Sequence, residues 1–246
     1  RIIAGTWFLP IMKQTKGMTG YYTGHGSGVT GWAPIMGVSY YQNVTQWNPG
    51  TYPNANNQQN DFATLATNGF LPRTDDYGNT MTTASSLTNI GTVSAVNIKT
   101  FGIIETATDV DMFVINTAGG VINLTASPAS KGPNLDIKLT LYNAKGTVVA
   151  SSAPETSLVA NINQSVASGD YYLAVSSSSH TATTTDPGYP TYGSLGQYQI
   201  TGNYLPTSSA KPPVASISTS VVSGTAPLTV SFSANNSIGN GTITGF

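Results

Sequence analysis

The chain has 246 residues, 9 of them basic and 10 acidic, with a formal net charge of −1 and no cysteine. That length suits one large domain or two to three small ones. Such sparse positive charge argues against a nucleic-acid partner, the missing cysteines exclude a disulfide scaffold or a cysteine–zinc site, and no apolar run of about 18 residues offers a transmembrane segment. Gly, Ser, Thr, Asn and Tyr are abundant, which suits a β-rich protein with many turns. Low charge with Asn/Thr/Ser-rich strands points to a secreted or cell-surface protein.

In chain order, residues 1–20 begin apolar, with Ile2, Ile3, Trp7, Phe8, Leu9, Ile11 and Met12 interrupted by Pro10. They read as an edge strand docked on its own domain, or as a partner-binding segment. Arg1-Ile2-Ile3 lacks the order of a signal peptide. Residues 21–56 are aromatic and glycine-rich, so turns and aromatic burial replace long elements. A helix is expected over residues 57–67, capped by Asn56 or Asn57, with Asp61 in its first turn and Phe62, Leu65 and Ala66 on one apolar face. Asn68-Gly69 stops it.

From Asp75 the pattern becomes strands, expected at 102–105, 109–115, 121–126, 135–142, 147–150, 158–162, 171–175 and 197–201. The clearest places Leu135, Ile137, Leu139 and Leu141 on a dry face, and Asp136, Lys138, Thr140 and Tyr142 on a wet one. Residues 109–115 carry apolar groups on both faces, as a central strand does. Residues 176–196 form a long loop, a common carrier of function. Residues 206–213 read as a linker, and residues 226–232 alternate Leu228, Val230 and Phe232 as a strand of a further unit. The expected fold is mainly β: a jelly-roll β-sandwich over 73–205, an irregular segment with a short helix before it over 1–72, and a partial Ig-like β unit over 214–246.

Three stretches resemble known families. Tyr21-Tyr22-Thr23-Gly24-His25-Gly26, then Trp32-Ala33-Pro34-Ile35-Met36-Gly37, then Gln46-Trp47 and Gln58-Gln59-Asn60-Asp61-Phe62-Ala63, resemble the end of a secreted metzincin (reprolysin-like) zinc metallopeptidase. The resemblance makes Met36 the Met-turn methionine, the floor beneath a zinc ion. Asp75-Asp76-Tyr77-Gly78-Asn79-Thr80, Asp109-Val110-Asp111-Met112-Phe113 and Gly169-Asp170-Tyr171-Tyr172-Leu173 resemble the bacterial pre-peptidase C-terminal (PPC) domain, a jelly roll appended to secreted peptidases. Gly224-Thr225-Ala226-Pro227-Leu228-Thr229-Val230-Ser231-Phe232 resembles the opening of a polycystic-kidney-disease (PKD) repeat, an Ig-like adhesion module, whose Trp-Asp-Phe-Gly-Asp-Gly hallmark would follow Phe246.

Zinc peptidase chemistry needs His-Glu-x-x-His on a helix, two histidines to hold the metal and a glutamate to activate water. The sequence has His25 and His180, far apart, and no such motif. Two readings stay open: a fragment whose catalytic helix precedes Arg1, or a homologue that lost the site. Zinc then belongs only to a longer parent. His25 is expected to bond neighbouring backbone and His180 to be solvated.

The carboxylates are the better site. Asp75, Asp76, Glu105, Asp109 and Asp111, half of the acidic residues, fall within 37 positions. Oxygen-rich clusters suit Ca²⁺, and the PPC resemblance supports it; the competing reading is turn and strand-end carboxylates accepting backbone bonds. Asn43, Asn123 and Asn163 begin glycosylation sequons. The leading expectation is a non-catalytic extracellular portion of a metallopeptidase-like protein, binding matrix, cell surface or polymer, or stabilising its parent. The alternatives are the C-terminal piece of an active zinc endopeptidase and a self-assembling filament or surface subunit.

Overall fold

The computed structural model describes residues 20–91, 96–207 and 216–233. The apolar start over 1–19, most of the expected linker and residues 234–246 of the final unit lie outside the described residues. Residues 1–206 form one compact unit and residues 207–246 a second.

The first unit is built on two large sheets, with one small two-stranded pair besides. Its strands in chain order are β1 (Trp32–Pro34), β2 (Val44–Gln46), β3 (Ser85–Ser86), β4 (Ile98–Ile104), β5 (Val110–Thr117), β6 (Gly120–Pro128), β7 (Ile137–Asn143), β8 (Val148–Ser152), β9 (Ala160–Val166), β10 (Gly169–Ser177) and β11 (Gly196–Asn203). One sheet has the order β3-β5-β10-β7-β8, the other β4-β11-β6-β9. Except for the short parallel β3–β5 pair, their strands pair antiparallel. Alternate residues therefore point between the sheets. Phe113, Ile115, Leu139, Leu141, Leu173 and Val175 from one meet Ile104, Ile122, Leu124 and Ile200 from the other, all at 0% exposure. Each such burial contributes about 1.5–3 kcal/mol. The fold is a mainly β sandwich, and β5, apolar on both faces, lies between β3 and β10.

The expected wet face of β7 is wet only in part. Lys138 is exposed and Tyr142 half-buried, but Asp136 and Thr140 are 3% and 7% exposed. Asp136 lies under the long loop, where it accepts the Tyr189 hydroxyl at 2.8 Å. Thr140 is shielded beside Ser151, whose hydroxyl is 3.4 Å away.

The helix is shorter than expected. α1 spans Asp61–Thr67 and is capped by Asn60, whose side chain accepts from the Ala63 N–H. Its buried residues are Asp61 and Thr64, not Phe62, Leu65 and Ala66. Phe62 instead packs at the rim, its ring 4.7 Å from that of Tyr192. A helix this short sits on the surface of a body that already has a core, so its sequence periodicity does not choose its buried side.

Residues 22–52 dock on the sandwich rather than beside it. Tyr22, Trp32, Val44 and Tyr52 form a second apolar cluster with Leu158 and Tyr189. Trp32 Nε1 donates to Gln46 Oε1 (2.9 Å), Gln46 Nε2 donates to the Asn134 carbonyl (2.7 Å), and the Thr45 N–H donates to Asn134 Oδ1 (3.0 Å). Gly193 makes this approach feasible, since a Cβ there would stand 2.2 Å from the Trp47 carbonyl oxygen. The segments expected as 1–72 and 73–205 thus share one unit.

In the second unit, β12 (Ser218–Thr219) pairs antiparallel with β13 (Phe232–Ser233). The strand expected over 226–232 is reduced to this short pair. Leu228 and Phe232 are 43% and 71% exposed; among the described residues the two short strands have no second layer against which an alternating face is buried.

Candidate metal centre

Two short segments bring the five carboxylates together. Asp75 Oδ1 accepts the Tyr77 N–H (3.1 Å) and its Oδ2 accepts Asn79 Nδ2 (3.0 Å). Asn79 Oδ1 in turn accepts the Val110 N–H (2.8 Å), and the Gly78 carbonyl accepts the Met112 N–H (3.1 Å). These bonds staple residues 75–79 across the start of β5. Glu105 follows β4 directly, and its N–H donates to Asp109 Oδ2 at 3.0 Å. Asp111 points inward from β5, shares the side of Phe113 and Ile115, and is 0% exposed.

Tyr198 of β11 completes the inner wall by donating its hydroxyl to Asp111 Oδ2 at 2.5 Å. Its ring has space because position 102 is glycine, where a Cβ would fall 2.3 Å from the Tyr198 oxygen. One ligand oxygen each from Asp75, Asp76 and Asp111 lies within 4.8 Å of the others, and the same holds for Asp75, Glu105 and Asp109. Asp75 belongs to both sets.

Several inner oxygens have no hydrogen-bond donor: Glu105 Oε1 and Oε2, Asp109 Oδ1 and Asp111 Oδ1. Among the described residues, the ion pairs involve only the two histidines, so no lysine or arginine neutralises the cluster. Burial pushes the Asp111 carboxyl up to about 8; the Tyr198 hydroxyl partly opposes this, and the charges of Asp109, Asp76 and Glu105 add to it. Burial, the adjoining Asp109 carboxyl and the charge of Asp76 raise Glu105 to about 7. Asp76 is raised, chiefly by burial, and by Asp109 and Asp75. Buried acceptors without donors are costly. An oxygen-only donor set matches a hard divalent cation such as Ca²⁺, which takes six to eight oxygens.

A second polar cluster went unread in the sequence. The chain's two histidines meet at one carboxylate: His25 Nε2 is 3.7 Å from Asp186 Oδ1, and His180 Nε2 is 3.6 Å from Asp186 Oδ2. His25 pairs with Tyr22 OH through Nδ1 (2.7 Å) and with the Gly188 carbonyl through Nε2 (2.8 Å). Its ring thus reaches a backbone carbonyl 163 positions away, in the long loop. His180 is not solvated: its side chain is 13% exposed, with Nδ1 3.2 Å from Glu155 Oε2 and its ring stacked on Tyr189. Asp186 and Gly188 belong to the long loop, so the only sequence signal was that loop's length.

Met36 stands half-buried in the turn after β1, closed by the Gly37 N–H donating to the Pro34 carbonyl. Asn43 and Asn163 are exposed and Asn123 half-buried, and Asn123 pairs directly with Asn163 across β6 and β9.

No protein-family model matches the chain. No curated protein matches it. Among solved structures, the pre-peptidase C-terminal domain of a collagenase from Bacillus anthracis is similar at 14% identity and a TM-score of 0.32, over 42% of this chain and 86% of that one. Among the described residues no helix is long and apolar enough to cross a membrane.

Proposed function

We propose that the sandwich is a non-catalytic, calcium-binding β domain of a secreted metallopeptidase-like protein, serving to hold that protein to extracellular material or to stabilise it. The observation that carries this reading is the set of buried carboxylate oxygens without donors, above all Asp111 Oδ1 and Asp109 Oδ1. A carboxylate used only as a turn or strand-end acceptor spends its oxygens on N–H groups. Glu105, Asp109 and Asp111 hold oxygens in reserve for a cation. Asp75, common to both oxygen sets, joins them into one cluster.

The chain's own residues do the remaining work. The staple over residues 75–79 positions Asp75 and Asp76, β5 fixes Asp111, and Tyr198 holds one Asp111 oxygen so that the other faces the cluster. A bound ion would tie the strap before β3 to the ends of β4 and β5, which stabilises the native state by mass action. The two histidines are taken up by Tyr22, Gly188, Glu155 and Asp186, which supports the non-catalytic reading. Zinc belongs to a longer parent chain in this account.

The test is equilibrium Ca²⁺ binding by titration calorimetry, with Tb³⁺ emission sensitised by Tyr198 and Tyr77 as an independent signal. The expected result is saturable binding of one ion, lost in Asp111→Asn. Absence of both heat and emission overturns it.

A further inference from the structure

The sheet β4-β11-β6-β9 has an outer face unlike an ordinary protein surface. Cross-strand register sets its side chains in rows. One row holds Asn203, Asn123 and Asn163; the next holds Lys99, Thr201, Thr125 and Asn161. A third begins with Phe101 and Gln199. Apart from Lys99 these rows are uncharged amides, hydroxyls and one aromatic ring. Neighbouring strands are about 4.8 Å apart and alternate residues along a strand about 6.8 Å apart, so the face is a grid of groups that both donate and accept. Asn161 Nδ2 already knits part of it, donating to Thr125 Oγ1 (2.8 Å) and Asn123 Oδ1 (3.3 Å).

At the end of β4 and β11 the grid runs into a cleft of about 340 Å³ lined by Phe101, Gly102, Ile103, Gln197, Tyr198 and Asp76. Phe101 is 61% exposed there.

We propose that this face and its cleft are a docking surface for an uncharged, hydroxyl-rich polysaccharide. This goes beyond the calcium reading, although the cleft shares Asp76 and Tyr198 with the carboxylate cluster. The near-absence of charge along the strand rows selects the partner. A nucleic acid or an anionic lipid surface needs a cluster of lysines or arginines, and this face has only Lys99. A protein interface is centred on buried apolar and aromatic anchors, whereas here the exposed Phe101 and Val121 stand at opposite ends of an amide and hydroxyl field. An extended sugar polymer answers the grid with hydroxyls, loses no charge hydration on docking, and offers ring faces to the exposed aromatic in the cleft.

The experiment is depletion of the full chain, in calcium-containing buffer, by microcrystalline cellulose, chitin and starch granules, with dextran sulfate as a charged control. The sample is unglycosylated by intact mass, since a glycan on Asn163 would lie on the same face. The expected result is saturable binding to at least one uncharged polymer that persists in high salt. Phe101→Ala, and separately the double variant Gln199→Glu with Thr201→Glu, should weaken it by roughly tenfold or more while leaving the melting temperature and Ca²⁺ binding intact. No binding to any of the three polymers, or binding by the variants equal to the parent, overturns the proposal. So does concentration-dependent self-association abolished by the same variants, which would assign the face to a second copy. Because Ca²⁺ binding is read on the same samples, failure here is distinct from failure of the metal site.

Discussion

The hydroxyl of Tyr198 on β11 donates to Asp111 Oδ2 on β5 across the interior of the sandwich, joining its two sheets at the carboxylate cluster. Tyr198 is 2% exposed and Asp111 0%, so neither group has water as a substitute partner. In chelator, Tyr198→Phe should therefore destabilise the protein by about 1–3 kcal/mol, the usual cost of stranding a buried acceptor. Denaturant unfolding measures it, and an unchanged midpoint would show that the bond contributes nothing.

The same carboxylate permits a test by opposite signs. A carboxylate kept for structure is weakened by amidation in every buffer. A carboxylate kept for an ion is a buried, like-charged burden once the ion is removed. Asp111→Asn should raise the melting temperature in chelator and abolish the rise that Ca²⁺ produces in the parent. Melts of both proteins in both buffers separate the two cases.

Asp136 gives a pH prediction away from that cluster. Burial pushes its carboxyl up to about 6; the Tyr189 hydroxyl and the nearby His180 pull it down, and Glu155 pushes it further up. The native state thus keeps this proton to higher pH than the unfolded chain, whose carboxyl titrates near 3.8. The penalty is absent below that value, grows as pH rises, and is complete above about 6. Asp136→Asn removes it, so the stability difference between variant and parent should move in the variant's favour by up to roughly 3 kcal/mol between acid and neutral pH. A difference independent of pH would refute this.

The contact of His25 and His180 with Asp186 predicts a local effect. Asp186→Ala removes the carboxylate between the two imidazoles and the acceptor of the Gly188 N–H. Residues 178–190 should become sensitive to limited proteolysis at a protease level that spares the parent, while the sandwich melts within a few degrees of it. Equal cleavage rates would mean that the loop is held by its other contacts, such as Tyr189 with Asp136 and Thr181 with Glu155.

How much of this was legible in the sequence depended on the distance over which residues meet. The sandwich strands were visible because inward residues such as Leu139, Leu141 and Leu173 alternate with outward ones. The carboxylates were visible because Asp75 to Asp111 are close in sequence and acidic residues are rare elsewhere. The histidine cluster was not, since His25 reaches Gly188 through a loop whose path no local pattern encodes. The helix face was misread for a related reason: Asp61 and Thr64 are buried by a surface that other parts of the chain supply. Asp136 occupied a polar position of the alternation yet is buried, because Tyr189 covers it with a matching donor.

The central claim is that the carboxylates of Asp75, Asp76, Glu105, Asp109 and Asp111 form a cation site, and the most direct measurement is the melting temperature of the full chain in excess Ca²⁺ and in chelator. An ion bound at about a hundred times its dissociation constant contributes about 2.7 kcal/mol, so the account predicts a rise of several degrees with Ca²⁺ that vanishes in Asp111→Asn. An identical melting temperature in the two buffers would contradict it.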